Sequence, residues 1–193
     1  MQKQRILIVD DEEVNRAILS GLFQDEYEII EAPNGQEATA RILENPDLVL
    51  ILLDVVMPVM DGFGVLKFMK EQDFLEKIPV ILITGETVIN SEEQAYAYGV
   101  ADVIHKPFYP HIVKRRGKNI IELYQHKHHM EERLKEQEEA IRSQEKKIRD
   151  NNEFMIDALS SVVEFRSLET GEHIRRIKYF TRILLKYLMK YFP

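Results

Sequence analysis

Apolar and polar residues along the first 108 positions change period repeatedly. Short apolar runs lie near 5–9, 48–53, 78–83 and 102–105, with a weaker one near 28–31. Between them, near 13–24, 35–44, 63–70 and 90–98, apolar residues return at helical spacing. A brief apolar run bounded by turn residues predicts a strand covered on both faces of a parallel sheet. Gly35, Gly62, Gly85 and Gly99 punctuate the joins. Five such strand-helix units predict an α/β fold, a doubly wound (βα)5 domain of ~110–120 residues. The expected strand order is the flavodoxin-like 2-1-3-4-5, in which ligands gather at the carboxyl ends of strands 1 and 3.

After Pro110 the pattern is different. No proline recurs before Pro193, and no glycine lies between Gly117 and Gly171. Every seventh residue from Ile120 reads Ile120, Lys127, Leu134, Ile141, Ile148, Met155 and Val162; three later come Leu123, Met130, Gln137, Gln144, Asn151, Ala158 and Phe165. This heptad seam predicts one continuous helix of ~50 residues, on the order of 75 Å long, and a parallel homodimer through residues 119–166. Arg133 and Glu138 occupy a g position and the following e position, which pair across such a dimer. A helix folded back on the first domain is the weaker alternative, because residues 126–153 are too polar to be buried there. Gln137, Gln144 and Asn151 cost the seam stability while fixing its register.

Composition narrows the function classes. The chain has no cysteine, so thiolate catalysis, disulfides and cysteine-ligated zinc are excluded, in keeping with a reducing cytoplasmic location. No apolar run approaches a membrane span and no signal peptide precedes the first strand, so no membrane association is expected. Residues 1–110 carry 20 acidic and 8 basic side chains, against 13 and 18 in residues 111–193. The acidic front half argues against nucleic acid as a partner, and the basic half interleaves its charges as a solvated helix does.

Chemistry concentrates where the strands end. Asp10 and Asp11, Asp54, Thr84 and Lys106 each follow an apolar run. Taken singly, Asp10 and Asp11 serve equally well as caps for the helix near Glu12, Thr84 as a strand-end hydroxyl, and Lys106-Pro107 as a turn. Their joint placement at four strand exits favours a shared site. Three carboxylates at one sheet edge repel one another, and a hard divalent cation with oxygen ligands, Mg2+ (or Mn2+), relieves that repulsion.

The spacing from Asp54 to Thr84 is 30 residues and from Asp54 to Lys106 is 52, and Asp54-x-x-Met-Pro-x-Met-Asp61-Gly62 forms a compact motif. These features resemble the receiver domain of bacterial two-component response regulators. The resemblance implies that Asp54 is the phosphoacceptor and that Asp11, Asp54 and the backbone carbonyl of Val56 hold the metal, with Asp10 acting mostly through water. It further implies that Thr84 and Lys106 bind the phosphoryl group, that Lys106-Pro107 is a cis peptide aiming the ammonium inward, and that the partner is a sensor histidine kinase or a phosphotransfer protein. Two positions depart from the family pattern. Val103 stands where an aromatic switch residue is usual, and Val56 offers no polar group to position an attacking water, although Glu86 is near in sequence. A long-lived phosphoryl group is the expectation.

The last segment, with Glu169-Thr-Gly-Glu-His173-Ile-Arg-Arg, resembles the opening of an HD-GYP domain, a cyclic di-GMP phosphodiesterase. Glu169 and His173, four apart, share a helix face as vestigial metal ligands. The family's His-Asp dyad and Gly-Tyr-Pro motif do not follow, so this chain is expected not to be an enzyme. The apolar helix carrying Ile174, Ile177, Phe180 and Leu184 is expected to pair with another copy, fold back, or aggregate. The expected organisation is a receiver at 1–115, a coiled-coil linker at 116–166 and a truncated HD-GYP fragment at 167–193. The function implied is a response regulator that transmits phosphorylation through a dimeric coiled coil; the alternative is a dimerisation or scaffold module that is never phosphorylated.

Overall fold

The computed structural model describes residues 3–85, 91–166 and 171–191. They form two compact units, Met1–His129 and Met130–Pro193.

In the first unit, β1 (Arg5–Val9), β2 (Glu28–Ala32), β3 (Leu48–Asp54), β4 (Val80–Thr84) and β5 (Asp102–His105) alternate with α1 (Glu13–Phe23), α2 (Gly35–Glu44), α3 (Gly62–Glu71) and α4 (Ser91–Tyr98). The sheet is parallel throughout, in the order β2-β1-β3-β4-β5. Both the element positions and the strand order follow the expectation from the apolar runs.

Strand alternation sorts the core into two layers. Leu7 and Val9 of β1 and Leu53 of β3 pack with Ile42 of α2 and Leu66 and Met69 of α3. Ile6, Ile8, Leu50 and Leu52 point the other way, onto Leu19 and Phe23 of α1 and Val113 and Ile121 of the helix after β5. Because both faces are covered, β3 and β4 are buried along their length save for the half-buried Val49, and their carboxyl ends are the places where polar side chains emerge. At the sheet margins, Glu28 of β2 pairs with Arg5 and Glu31 with Arg16, while the four-residue β5 has Asp102 paired with Arg116.

The helices start and stop for local reasons. Asn34 accepts from the Glu37 N–H at the start of α2, and Asp61 accepts from the Gly64 N–H at the start of α3, each satisfying an orphan donor of a first turn. Gly99, at φ 98°, follows the end of α4 in the left-handed region where glycine costs least.

Helix α5 (Pro110–Arg166) runs for 57 residues, the continuous helix that the heptads predict, and it passes without a break through the expected boundary at 115/116. Its first part belongs to the first unit: Lys118 pairs with Glu26, Gln125 bonds Gln4, and His128 lies 3.3 Å from the Lys77 carbonyl. In the second unit, α6 (Gly171–Tyr191) runs antiparallel to the end of α5, with Lys178 3.9 Å from Asp157 and Arg182 4.0 Å from Glu153. The tail helix thus turns back along α5 without covering the apolar face that prompted the expectation, for Ile177, Phe180, Ile183 and Leu184 stay exposed.

Candidate functional site

The carboxyl edge of the sheet gathers the predicted side chains. Asp10 follows β1, Asp54 ends β3, Thr84 ends β4 and Lys106 follows β5. Asp10 and Thr84 are fully buried and Asp54 nearly so, whereas Asp11 is exposed. Carboxylate oxygens of Asp10, Asp11 and Asp54 lie within 4.8 Å of one another. Among the described residues this is the one cluster of acidic and histidine side chains with metal-binding spacing. The Lys106 ammonium bridges it, donating to Asp10 Oδ2 at 2.9 Å and to Asp54 Oδ2 at 2.8 Å.

Each group is held from the backbone outward. Asp54 Oδ1 accepts from the Val55 N–H at 2.8 Å. The Thr84 carbonyl accepts from the Lys106 N–H at 2.7 Å, and the Lys106-Pro107 peptide is cis, as expected. The α3 N-terminus presses against the end of β3 so closely that a Cβ on Gly62 would lie 2.4 Å from the Asp54 carbonyl oxygen. Residue 62 must therefore lack a side chain for Asp54 to sit where it does.

Burial is the main influence on Asp54 and raises its pKa above the ordinary carboxylate value; hydrogen bonding and charge from Lys106 act the other way, and Asp10 adds to the rise. For Lys106, burial works against the charge, but hydrogen bonds to Asp54 and Asp10 outweigh it and the pKa is raised. Both groups thus hold their protons more firmly than in water, Asp54 chiefly because burial disfavours its charge and Lys106 because two carboxylates face it. Independently, the three clustered carboxylates form a donor set that fits Mg2+, which typically takes one or two carboxylates and completes its shell with water and phosphate oxygens.

Two contributors were not legible as site residues. The Asn15 side chain donates to both Asp10 oxygens, at 3.1 and 3.2 Å, and to Glu12 Oε2 at 3.0 Å. Arg16 donates to the backbone carbonyls of Asp10 and Asp11, at 2.8 and 3.2 Å, while its other edge is held by Glu31. Both lie within the first turn of α1, one helical turn from the acidic pair, and that proximity was the available signal. The caps expected from Asp10 and Asp11 take a different form: Asp10 Oδ1 accepts from the Glu12 N–H at 2.9 Å, just ahead of the helix.

Val56 lies two residues beyond Asp54 and is 66% exposed, and Val103 is buried beneath the sheet end. Pro107 follows Lys106 in the cis linkage. Glu86 and Glu169 lie outside the described residues; His173 falls within α6, but its side chain is outside them as well.

A buried aspartate at the end of a central parallel strand, ringed by an acidic pair, a threonine and a lysine, defines a receiver-type site. The profile of the response regulator receiver domain matches residues 6–116, and the chain belongs to that family. Receiver domains of this family act in two-component systems with histidine kinases or phosphotransfer proteins, and typically bind Mg2+ at such an acidic pocket. Over 192 residues the chain is 32% identical to a probable cyclic di-GMP phosphodiesterase of Vibrio cholerae, covering 95% of this chain and 41% of that protein's length. It is also 32% identical over 111 residues to the two-component response regulator ORR5 of rice (Oryza sativa), covering 57% of this chain and 83% of the relative. Among solved structures, the receiver domain of NtrX from Brucella abortus superposes with a TM-score of 0.55 at 30% identity, over 61% of this chain and 98% of the other. The signal receiver domain of a LuxO repressor protein from Vibrio parahaemolyticus shares the fold, with a TM-score of 0.61 at 22% identity over 67% of this chain and 98% of the other. No helix among the described residues is long and apolar enough to cross a membrane.

Proposed function

We propose that the chain is a phosphorylation-driven switch in which Asp54 accepts a phosphoryl group and α5 passes the change to an HD-GYP-type output. The observation that carries this reading is the bridged carboxylate cluster: Lys106 bonded to both Asp10 and Asp54 at the carboxyl edge. A scaffold has no need of a buried acceptor with a charge-neutralising apparatus around it.

In this reading Asp54 Oδ attacks phosphorus in line. A P–O bond forms as the P–N bond of a donor phosphohistidine breaks, and the imidazole leaves carrying the electron pair. Asp11, Asp54 and the Val56 carbonyl would hold Mg2+, which when bound supplies positive charge opposite the incoming phosphoryl oxygens. Lys106 exchanges its bond to Asp54 for one to a phosphoryl oxygen, and the Thr84 hydroxyl turns to donate to another. Asn15 and Arg16 keep Asp10 and its carbonyl in place throughout.

The relationship to the Vibrio cholerae phosphodiesterase supports a cyclic di-GMP-linked output, with residues 167–193 as its opening segment. Glu169 and His173 alone do not make a multinuclear centre, and the chain by itself is proposed to be without phosphodiesterase activity.

Incubation with acetyl phosphate and Mg2+, followed by a phosphate-affinity gel and intact-mass measurement, tests the acceptor. A shift of one phosphoryl group in the native chain and none in Asp54→Asn is expected. An unmodified native chain, or equal modification of both, would refute it and leave the scaffold reading.

A further inference from the structure

Helix α5 carries a histidine-rich turn that the receiver site does not use. Three of the chain's six histidines, His126, His128 and His129, fall within four residues at the end of the first unit. With about 3.6 residues per turn they part into two sets. His128 is half-buried and its ring meets the Lys77 carbonyl, so it faces the receiver. His126 and His129, three apart, share a face turned away from it, with ~5–6 Å between Cβ atoms at that spacing. Both are exposed, and among the described residues neither has a hydrogen bond or ion pair. Gln125 bonds Gln4, just ahead of β1, and Lys77 lies just ahead of β4. The turn therefore sits at the amino edge of the sheet, opposite the acidic pocket.

Two imidazoles one turn apart on a helix are a chelating pair. Neutral imidazole suits Zn2+, Ni2+ and Cu2+, whereas the oxygen-only pocket of Asp10, Asp11 and Asp54 suits a hard cation. The two places therefore select different metals. The same stripe of α5 supplies surroundings that such a metal needs. Glu122, exposed and one turn before His126, is placed to accept the ring N–H that the metal leaves over, as carboxylates commonly do behind a ligating histidine. Lys118, a further turn back, is already engaged by Glu26 at 2.6 Å. Arg133, one turn beyond His129, is the cation that opposes a metal here. A pair leaves the remaining coordination positions to water, so the site is an open one.

We propose that His126 and His129 form a two-imidazole site for a divalent transition cation of the Zn2+, Ni2+ and Cu2+ class on the outer face of α5. The metal bridges the last helical turn before α5 passes into the second unit at Met130. Because the bridge requires helical spacing, the bound ion stabilises the helix at that turn. The site shares no residue with the proposed phosphoacceptor apparatus and stands independently of it.

The untagged full chain, held in excess Mg2+ so that the acidic pocket is saturated, is titrated with Zn2+ and Ni2+ in a calorimeter and with Cu2+ under electron paramagnetic resonance. One ion per chain, with two nitrogen ligands on Cu2+, is expected. His126→Gln and His129→Gln should each weaken binding at least about tenfold, the scale on which even an outer-shell partner is felt. Both positions are exposed, so circular dichroism of these variants should match the native chain. His128→Gln should leave the affinity unchanged, and Arg133→Gln should raise it. His173 is the rival ligand: loss of binding in His173→Gln with His126 and His129 intact would move the metal to the tail and overturn the proposal. Equal losses in His128→Gln and His129→Gln would overturn it too, as would the absence of saturable binding below millimolar metal. Acetyl phosphate labelling of Asp54 should be the same in all these variants, so the metal pair and the phosphoacceptor fail separately.

Discussion

Gly62→Ala is the most exacting probe of how Asp54 is positioned. An added Cβ would lie 2.4 Å from the Asp54 carbonyl oxygen and 3.0 Å from the Val55 Cα. The first distance is about 1 Å inside ordinary van der Waals contact. The obstructing atoms are backbone at the buried end of the central strand β3, so no side chain can swing aside. Either the start of α3 or the end of β3 must retreat. Overpacking of this kind costs about 1–3 kcal/mol, offset by a few tenths from the lower chain entropy of alanine when unfolded. For a unit of this size the loss corresponds to a fall of about 4 °C in melting temperature per kcal/mol. Gly21→Ala supplies the internal control: it is the same chemical change in the exposed interior of α1, with nothing within 4 Å of the added methyl. It should stabilise by about 0.5–1 kcal/mol. Calorimetry, together with hydrogen exchange of peptides from β3, measures both variants. Because Asp54 moves with its carbonyl, labelling by acetyl phosphate should slow in Gly62→Ala and not in Gly21→Ala. If both alanines shift stability in the same direction, the close approach of α3 to β3 does not have the role assigned to it.

Three further outcomes are expected. Val59 is 78% exposed and sits at φ 69°, a left-handed conformation unfavourable for a β-branched residue; Val59→Gly should therefore stabilise by about 0.5–1 kcal/mol in urea melts, and destabilisation would contradict it. Asn15→Ala removes the amide that orients Asp10 and should weaken Mg2+ binding about tenfold in titration calorimetry, with the melting temperature of the metal-free protein nearly unchanged. Val56→Asn introduces a group able to orient water next to the acceptor and should shorten the aspartyl-phosphate lifetime roughly tenfold; equal decay rates would refute the expectation of a long-lived phosphoryl group.

What could be read from the chain depended on how many residues carried each signal. Runs such as Ile6 to Val9 and Leu48 to Leu53 specify buried strands because every position repeats the same preference, and the strand order follows from their alternation with helices. The joint spacing of Asp10, Asp54, Thr84 and Lys106 located a site that none of them marks alone, and the structure brings all four together. Asn15 and Arg16 escaped notice because hydrogen bonds between a first helical turn and the preceding loop leave no periodicity. The need for glycine at position 62 was equally hidden, since it depends on the distance between α3 and β3. The direction of α6 was undecidable for a different reason: its apolar face suits a neighbouring helix of the same chain as well as one from another molecule, and the charges that choose, Asp157 with Lys178 and Glu153 with Arg182, become partners only once the chain has turned back.

The charged margins of the sheet have a consequence for how this protein meets copies of itself. An edge strand offers unpaired backbone groups to any passing strand. At β2 such a visitor would have to displace the Arg5–Glu28 and Arg16–Glu31 pairs, and at β5 it would find only four residues, one of them tied to Arg116. The receiver thus discourages growth by strand addition, which has no natural end. A molecule present in many copies is in this way protected from turning chance encounters into fibres.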